Sequence, residues 1–316
     1  MTRARPEVSV VIPTRDRPDF LVRALEAALT QEDVDVEVIV VDDASPDPAA
    51  TEAARGDSRV SLIRHEQHRG VSSARNTGVA HARAAWIAFL DDDDMWSPHK
   101  LRSLLDAVSA SRADFAYSGA IVVDAELRPL GLEPAPPREE LLSRLLQSDA
   151  MPGGGSNVMA SASLLEQLGG FDESFSFSAD WDLSIRLAVR AKGAAENEIL
   201  VAYSHHPGSW VIRDDPAIDG DFRRLAEKHA DTARRLGVRM DAHAFDQYVA
   251  HGLLRGGRRL AAARRYAVTA ARHRNLGSLG RAGGALLGPR LIERVRQEGP
   301  TPPAWLAAYQ SVGGQR

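Results

Sequence analysis

Four consecutive aspartates, Asp91-Asp92-Asp93-Asp94, follow the apolar run of residues 86–90. Carboxylates crowded in this way repel one another unless something positive lies among them. On an ordinary surface such a run is a solvated loop or a helix cap. At the C-terminal end of a buried strand it occupies the place where open α/β sheets hold ligands. There, a hard divalent cation bridging carboxylates and a diphosphate relieves the repulsion. Asp42-Asp43 ends the apolar run 38–41, and Asp180-Trp181-Asp182 opens a helical stretch after Gly170-Phe171-Asp172-Glu173. The bland readings are a turn for the former and helix-dipole capping for the latter. The sharper reading gives one carboxylate of the last set the work of a general base.

Several other chemistries lack their residues. With no Cys, the chain has no thiolate zinc site, disulfide framework or Cys nucleophile. No G-x-G-x-x-G follows the first apolar run, no G-x-S-x-G occurs, and none of Lys100, Lys192 and Lys228 follows a glycine as a phosphate-binding loop requires. His65-Glu66-Gln67-His68 is one residue short of zinc-protease spacing and lies beside a strand. A formal charge of -4 gives no sign of a nucleic-acid partner.

The acidic groups need elements to carry them. Residues 8–12 read as a buried strand stopping at Pro13, and 18–29 as a helix repeating Leu21, Leu25, Ala28 and Leu29 at helical spacing. Residues 36–41 form a second continuous apolar strand, completing the strand–helix–strand signature of a parallel sheet covered on both faces. The alternation continues with a strand at 60–63, a helix at 72–83 and a strand at 86–90. Ser97 as N-cap and Pro98 at the first helical position predict a helix to about 111, before a strand at 115–123. A stretch with Pro129, Pro134, Pro136 and Pro137 leads to a helix at 139–147 and a flexible turn at Gly153-Gly154-Gly155. Helices at 161–168 and 180–190 and a strand at 199–203 complete the alternation. From Asp219 the pattern is helical.

The order predicts an α/β domain over residues 1–215, its mostly parallel sheet carrying helices on both faces, and a helical arginine-rich region over 216–316. The boundary falls at Asp214-Asp215-Pro216. From His251 to Pro300 there are eleven Arg, no Lys and two Glu, so the other 266 residues carry a net -13. That basic stretch reads either as a helical hairpin with solvated arginines or as a surface for anionic lipid. Leu286-Leu287-Gly288-Pro289-Arg290-Leu291-Ile292, with Arg294 and Arg296, suits an interfacial segment.

Five phrases, in order and spacing over roughly residues 8–210, resemble the inverting family 2 glycosyltransferases of the GT-A fold. They are Val10-Val11-Ile12-Pro13-Thr14, then Val41-Asp42-Asp43-Ala44-Ser45, then Gly70-Val71-Ser72-Ser73-Ala74-Arg75-Asn76-Thr77-Gly78. Phe89-Leu90-Asp91-Asp92-Asp93-Asp94 with Trp96 and Pro98 follows, and Gly169-Gly170-Phe171-Asp172-Glu173 leads to Asp180-Trp181-Asp182-Leu183. The resemblance implies a Rossmann-like GT-A fold and transfer of a sugar from a nucleotide-diphosphate donor, a UDP-sugar favoured, to a hydroxyl acceptor that can be lipid-linked. Pro13, Thr14, Asp16, Asp42 and Asp43 would face base and ribose, and Arg75 the diphosphate or base edge. Asp91 or Asp92 would hold the ribose or a metal-bound water, and Asp93 would ligate Mn²⁺ or Mg²⁺. Asp180 would be the catalytic base, with Asp182 able to share that role. Tyr203-Ser204-His205-His206-Pro207-Gly208-Ser209 resembles the family's closing His-x-x-Ser segment, making His206 a third metal ligand or diphosphate contact.

Two departures stand out: Ala179 replaces the Glu that usually precedes the base, and His68-Arg69-Gly70 replaces Asn-x-Gly. The rivals are a non-catalytic nucleotide-sugar or glycan-binding module and a sugar-phosphate nucleotidylyltransferase. The latter wants a glycine-rich basic loop after the first strand, where Pro13-Thr14-Arg15-Asp16-Arg17 has no glycine. No apolar run reaches a membrane span's length and the N-terminus does not read as a signal peptide. The expected location is therefore cytoplasmic, with peripheral contact at the inner membrane face through the C-terminal region.

Overall fold

The computed structural model describes residues 5–47, 56–206, 217–287 and 300–313. These form two compact units, one of residues 1–145, 149–204 and 301–316, the other of 146–148 and 205–300. The boundary expected at residues 214–216 lies outside the described residues, as does most of the interfacial segment read at 286–296.

The first unit is built on β1 (Val8–Thr14), α1 (Pro18–Leu29), β2 (Val36–Asp42), β3 (Val60–Arg64), α2 (Val71–His81), β4 (Trp86–Phe89), β5 (Met95–Trp96) and α3 (Lys100–Ser111). It continues with β6 (Phe115–Val123), β7 (Pro129–Glu133), α4 (Arg138–Leu145), a 3-10 turn (Gly154–Asn157), β8 (Met159–Ser161), α5 (Ala162–Leu168), α6 (Ala179–Arg190) and β9 (Gly193–Ser204). Among the described residues the strands make one sheet of order β3-β2-β1-β4-β8-β6-β9-β5, with β7 beside β6. The β1–β2, β1–β4, β2–β3 and β6–β9 ladders are parallel, and the shorter β4–β8, β6–β8, β5–β9 and β6–β7 pairings are antiparallel.

Every residue of β1 and β2 is buried, because helices cover both faces. Val8, Val10, Ile12, Val38 and Val40 join Leu21 and Leu25 of α1 and Leu101 and Leu104 of α3 in the main core. Ile39 and Val41 meet Ala74 of α2 on the other face. There α2 lies so close that a Cβ on Gly78 would stand 2.3 Å from a Val11 methyl.

Three local readings change. Strand β1 runs through Pro13: Val11 gives its carbonyl to Leu90 on the β4 side, and pairing with β4 ends at Val11–Phe89. Pro13 therefore turns its missing N–H to a side with no ladder left to break. Ser97 and Pro98 form a turn ahead of α3, closed by the Lys100 amide on the Ser97 carbonyl at 3.0 Å, and α3 begins without a side-chain cap. Finally, β9 is twelve residues long, its polar first half hidden from any apolar-run criterion.

In the second unit, α7 (Ala217–Lys228), α8 (Ala230–Arg235), α9 (Ala242–Arg255), α10 (Arg259–His273) and α11 (Leu276–Leu287) follow one another. Phe222 and Phe245 stack with centroids 4.2 Å apart. Arg265 joins Asp219 of α7 to Asp246 of α9, and Arg272 and His273 also pair with Asp246. Some of the arginines read as solvated are thus internal ties. The last helix, α12 (Ala304–Gly313), belongs to the first unit: Leu306 is buried with Met95, Ile121, Val123 and Ala202, and the Trp305 indole donates to the Ile199 carbonyl at 2.8 Å.

Candidate active site

The four aspartates after β4 turn tightly, the Asp94 amide donating to the Asp91 carbonyl, so their side chains diverge. Asp91 pairs with Arg75 at 2.5 Å. Asp92 accepts the Thr14 hydroxyl at 2.8 Å and shares Arg17 with Asp93, at 3.1 and 2.9 Å. Asp94 is buried, accepting the Ser156 hydroxyl at 2.5 Å and the Ser204 amide at 2.8 Å. Burial and the Asp93 charge push Asp92 up to about 7, against the opposing pull of Arg17 and Thr14. Burial, Asp93 and Asp91 likewise hold Asp94 well above the usual carboxylate range. The crowding inferred from the sequence is therefore felt in the fold.

The pair after β2 is occupied by the protein itself. Asp42 is fully buried, accepting the Ser45 amide and hydroxyl on one oxygen and Arg64 on the other. Asp43 accepts His65 and the Arg69 amide on one oxygen, His68 and the Gly70 amide on the other. Burial raises the proton affinity of Asp43, but these donors more than offset it and its pKa is lowered. Asp42 thus shapes the turn after β2, and Asp43 clamps the loop that leads into α2. Asp16, exposed, is drawn to the same rim by its amide on the Ser45 hydroxyl at 2.9 Å.

Arg75 joins two of the acidic sets. Its side chain is 5% exposed and its guanidinium lies 5.0 Å from the Phe171 ring centre. It feels Asp180 as well as Asp91. Asp180, in the first turn of α6, accepts the Gly155 amide at 3.2 Å and the Trp181 amide at 2.9 Å. Burial raises its pKa, Arg75 opposes the rise and Asp91 adds to it. Asp182, two residues on, is fully buried against Arg186 at 2.7 Å. Successive helical residues turn by about 100°, so Asp182 points away from Asp180 and the shared base role read from the sequence is not supported.

The turn read as flexible is the joint between these groups. Gly155 bonds Asp180. The Ser156 hydroxyl donates to Asp94 and accepts the Asp91 amide, while its carbonyl accepts the Trp96 indole at 2.8 Å. The Asn157 side chain ties to Ser118 and Pro152. Its carbonyl accepts from Lys100, a fully buried amine 4.9 Å from the Trp96 ring centre and lowered by burial to about 7. A Cβ on Gly155 would stand 2.8 Å from Arg75 Nη2, so glycine is needed for this approach. Sequence alone assigned Arg17, Ser156, Asn157 and Lys100 no part in the site. The only available signal was a Ser-Asn pair directly after three glycines.

Among the described residues no three His, Cys, Asp or Glu side chains converge as a complete metal cage. The strand-end donors are nonetheless hard carboxylate oxygens whose mutual repulsion Arg17 and Arg75 relieve only in part. That fits a divalent cation which keeps waters and substrate phosphates as its remaining ligands. His206, two residues beyond β9, belongs to the second unit, and Pro207, Gly208 and Ser209 lie outside the described residues.

A family model described as glycosyl transferase family 2 matches residues 9–169, which include the rim from Thr14 to Asp94 and the 153–157 turn. The chain belongs to this family. It is 44% identical over 126 residues to the succinoglycan biosynthesis protein ExoO of Rhizobium meliloti, covering 40% of this chain and 36% of that one. It is 28% identical over 206 residues to the UDP-Glc:alpha-D-GlcNAc-diphosphoundecaprenol beta-1,3-glucosyltransferase WfaP of Escherichia coli, covering 64% of this chain and 78% of that one. The family 2 chain thus spans little more than a third of ExoO. Its fold is GT-A: the crystal structure of S. aureus TarS 1-349 in complex with UDP-GlcNAc superposes with a TM-score of 0.60 at 16% identity, over 88% of each chain.

Proposed function

We propose that the chain is a metal-dependent, inverting glycosyltransferase moving a sugar from a nucleotide-diphosphate donor, a UDP-sugar, to a hydroxyl acceptor. The observation that carries this reading is Arg75, paired with Asp91 of the strand-end run and lying against the Gly155 turn whose amide bonds Asp180 of α6. The groups for donor and acceptor thereby meet at one guanidinium. The name of WfaP supports a UDP-sugar and a lipid-linked acceptor, which is consistent with work at the cytoplasmic face of a membrane.

In the proposed step the acceptor hydroxyl gives its proton to the Asp180 carboxylate. Its oxygen forms a bond to the anomeric carbon as the bond from that carbon to the diphosphate oxygen breaks. Attack opposite the leaving group inverts the centre and needs no covalent enzyme intermediate. The raised proton affinity of Asp180 suits a base working near neutral pH. Asp93 would hold Mn²⁺ or Mg²⁺, whose chemistry is neutralisation of the departing diphosphate. Arg75 orients Asp91 and Asp180 and is a cation within reach of the diphosphate. Thr14 fixes Asp92, while Pro13 and Asp16 lie on the side assigned to base and ribose. Asp42 and Asp43 serve that side through the loops they hold.

The test is transfer or donor hydrolysis with UDP-sugars and Mn²⁺. Asp180→Asn is expected to abolish turnover while UDP still raises the melting temperature. Turnover that survives in this variant would refute the assignment of the base.

A further inference from the structure

Helix α11 turns its small residues inward and its leucines outward. Ser278, Ala282 and Ala285 are buried, whereas Leu276, Leu279 and Leu286 are 83%, 55% and 56% exposed. An amphipathic helix of a soluble domain does the reverse. Helix α10 behaves similarly: Ala262, Ala263, Tyr266 and Thr269 are buried while Leu260 is 78% and Val268 43% exposed. Residues 259–287 contain six Arg and not one Asp or Glu. Arg265 and Arg272 pair with acids of α7 and α9, while Arg259, Arg264, Arg274 and Arg281 are exposed.

We infer that the α10–α11 hairpin is a docking surface for an anionic lipid bilayer, its leucines entering the acyl boundary and its arginines meeting the phosphates. Outward leucines and glycines offer apolar area without directional polar groups. An acid-free cluster of arginines complements lipid phosphate and repels other cations. Apolar area together with basic charge is what holds a helix at a membrane interface. This inference rests on the proposed lipid-linked acceptor for its purpose, and it assigns the contact to particular side chains.

The experiment is flotation of the full chain with vesicles of phosphatidylcholine alone or mixed with phosphatidylglycerol, at low and high salt. Transfer to a water-soluble acceptor is measured alongside. Binding is expected only to the anionic vesicles and is expected to weaken with salt. Arg264→Ala and Arg274→Ala should each weaken binding roughly five-fold. Leu276→Glu with Leu279→Glu should weaken it at least about ten-fold, with the melting temperature and soluble-acceptor transfer unchanged. The inference is overturned if the wild type ignores anionic vesicles, if the leucine variant binds them equally well, or if that variant instead converts a dimer to a monomer. Loss of soluble-acceptor transfer in the wild type would strike the proposed reaction and leave vesicle binding to be judged separately.

Discussion

Replacing Arg75 by Met removes the charge between Asp91 and Asp180 while keeping an unbranched chain against Phe171. Asp180 then retains the influences that raise its pKa, burial and Asp91, and loses the largest of those that oppose them. A nearby opposite charge favours the ionised carboxylate, so its loss raises the Asp180 pKa further. The base must be ionised to accept the proton, so the acidic limb of kcat/KM against pH should move up. At a fixed pH below the new limb, each unit costs about ten-fold in rate. Removing one partner of a buried ion pair typically costs about 3–5 kcal/mol; Asp91 is 26% exposed, which puts the loss at or below the lower end. The deficit should be greatest at alkaline pH and shrink in acid as Asp180, its proton affinity raised, takes up a proton. Asp91→Asn removes a like charge and should shift the same limb downward. The assays are a pH–rate series on both variants and urea denaturation at acid and alkaline pH. Coincident acidic limbs in wild type and both variants would refute the electrostatic link between Arg75, Asp91 and Asp180.

The ligand-free protein should show a stability minimum near pH 7. Asp92, raised to about 7, keeps in the fold a proton that the unfolded chain releases above about pH 4, so stability falls from about 4 to about 7, and Asp94, also raised, adds to the fall. Lys100, lowered to about 7, has lost in the fold a proton that the unfolded chain keeps to about 10.5, so stability climbs again above 7. Glu37 and Asp43, held low by their donors, lose their contribution only as the pH drops below about 4. Melting temperatures across pH check the shape; Asp92→Asn should flatten the acid limb and Lys100→Met the alkaline one. Gly155→Ala must displace either Arg75 from Asp91 or the turn from Asp180, with an expected cost of about 1–3 kcal/mol and at least about ten-fold in kcat. Gly131→Ala, with open space around its Cβ, is the silent control. Ser156→Ala should destabilise by about 1–3 kcal/mol, because the Asp91 amide and Asp94 lose a buried partner, as calorimetry against wild type would register.

Much of the scaffold was legible from local pattern. Helix α1 begins at Pro18 and ends at Leu29 as its periodicity predicts, and β6 spans Phe115–Val123 as its apolar run predicts. Burial on both faces gives such strands a continuous apolar signal. Strands β5, β7 and β8 have two to five residues each and exist because a neighbour lies alongside, a fact no short window contains. Helix α11 misleads for the opposite reason: its leucines suggest a buried face, yet alanine and serine occupy the interface.

The acidic residues after β2, after β4 and at the start of α6 could be named from the order of residues alone, because carboxylates at strand ends and helix starts leave a compositional mark. Which of them remain available could not. Asp42, Asp43 and Asp94 are tied by hydrogen bonds within the protein and Asp182 by Arg186, while Asp92 and Asp93 share a partly exposed Arg17 at the rim. Arg75 pairs with Asp91 and carries its charge near Asp180, beside a turn whose three glycines read as slack. Periodicity reports which side of an element is buried. Ion pairing depends on distances between residues separated by up to a hundred positions, and those are set only when the sheet and its helices have packed.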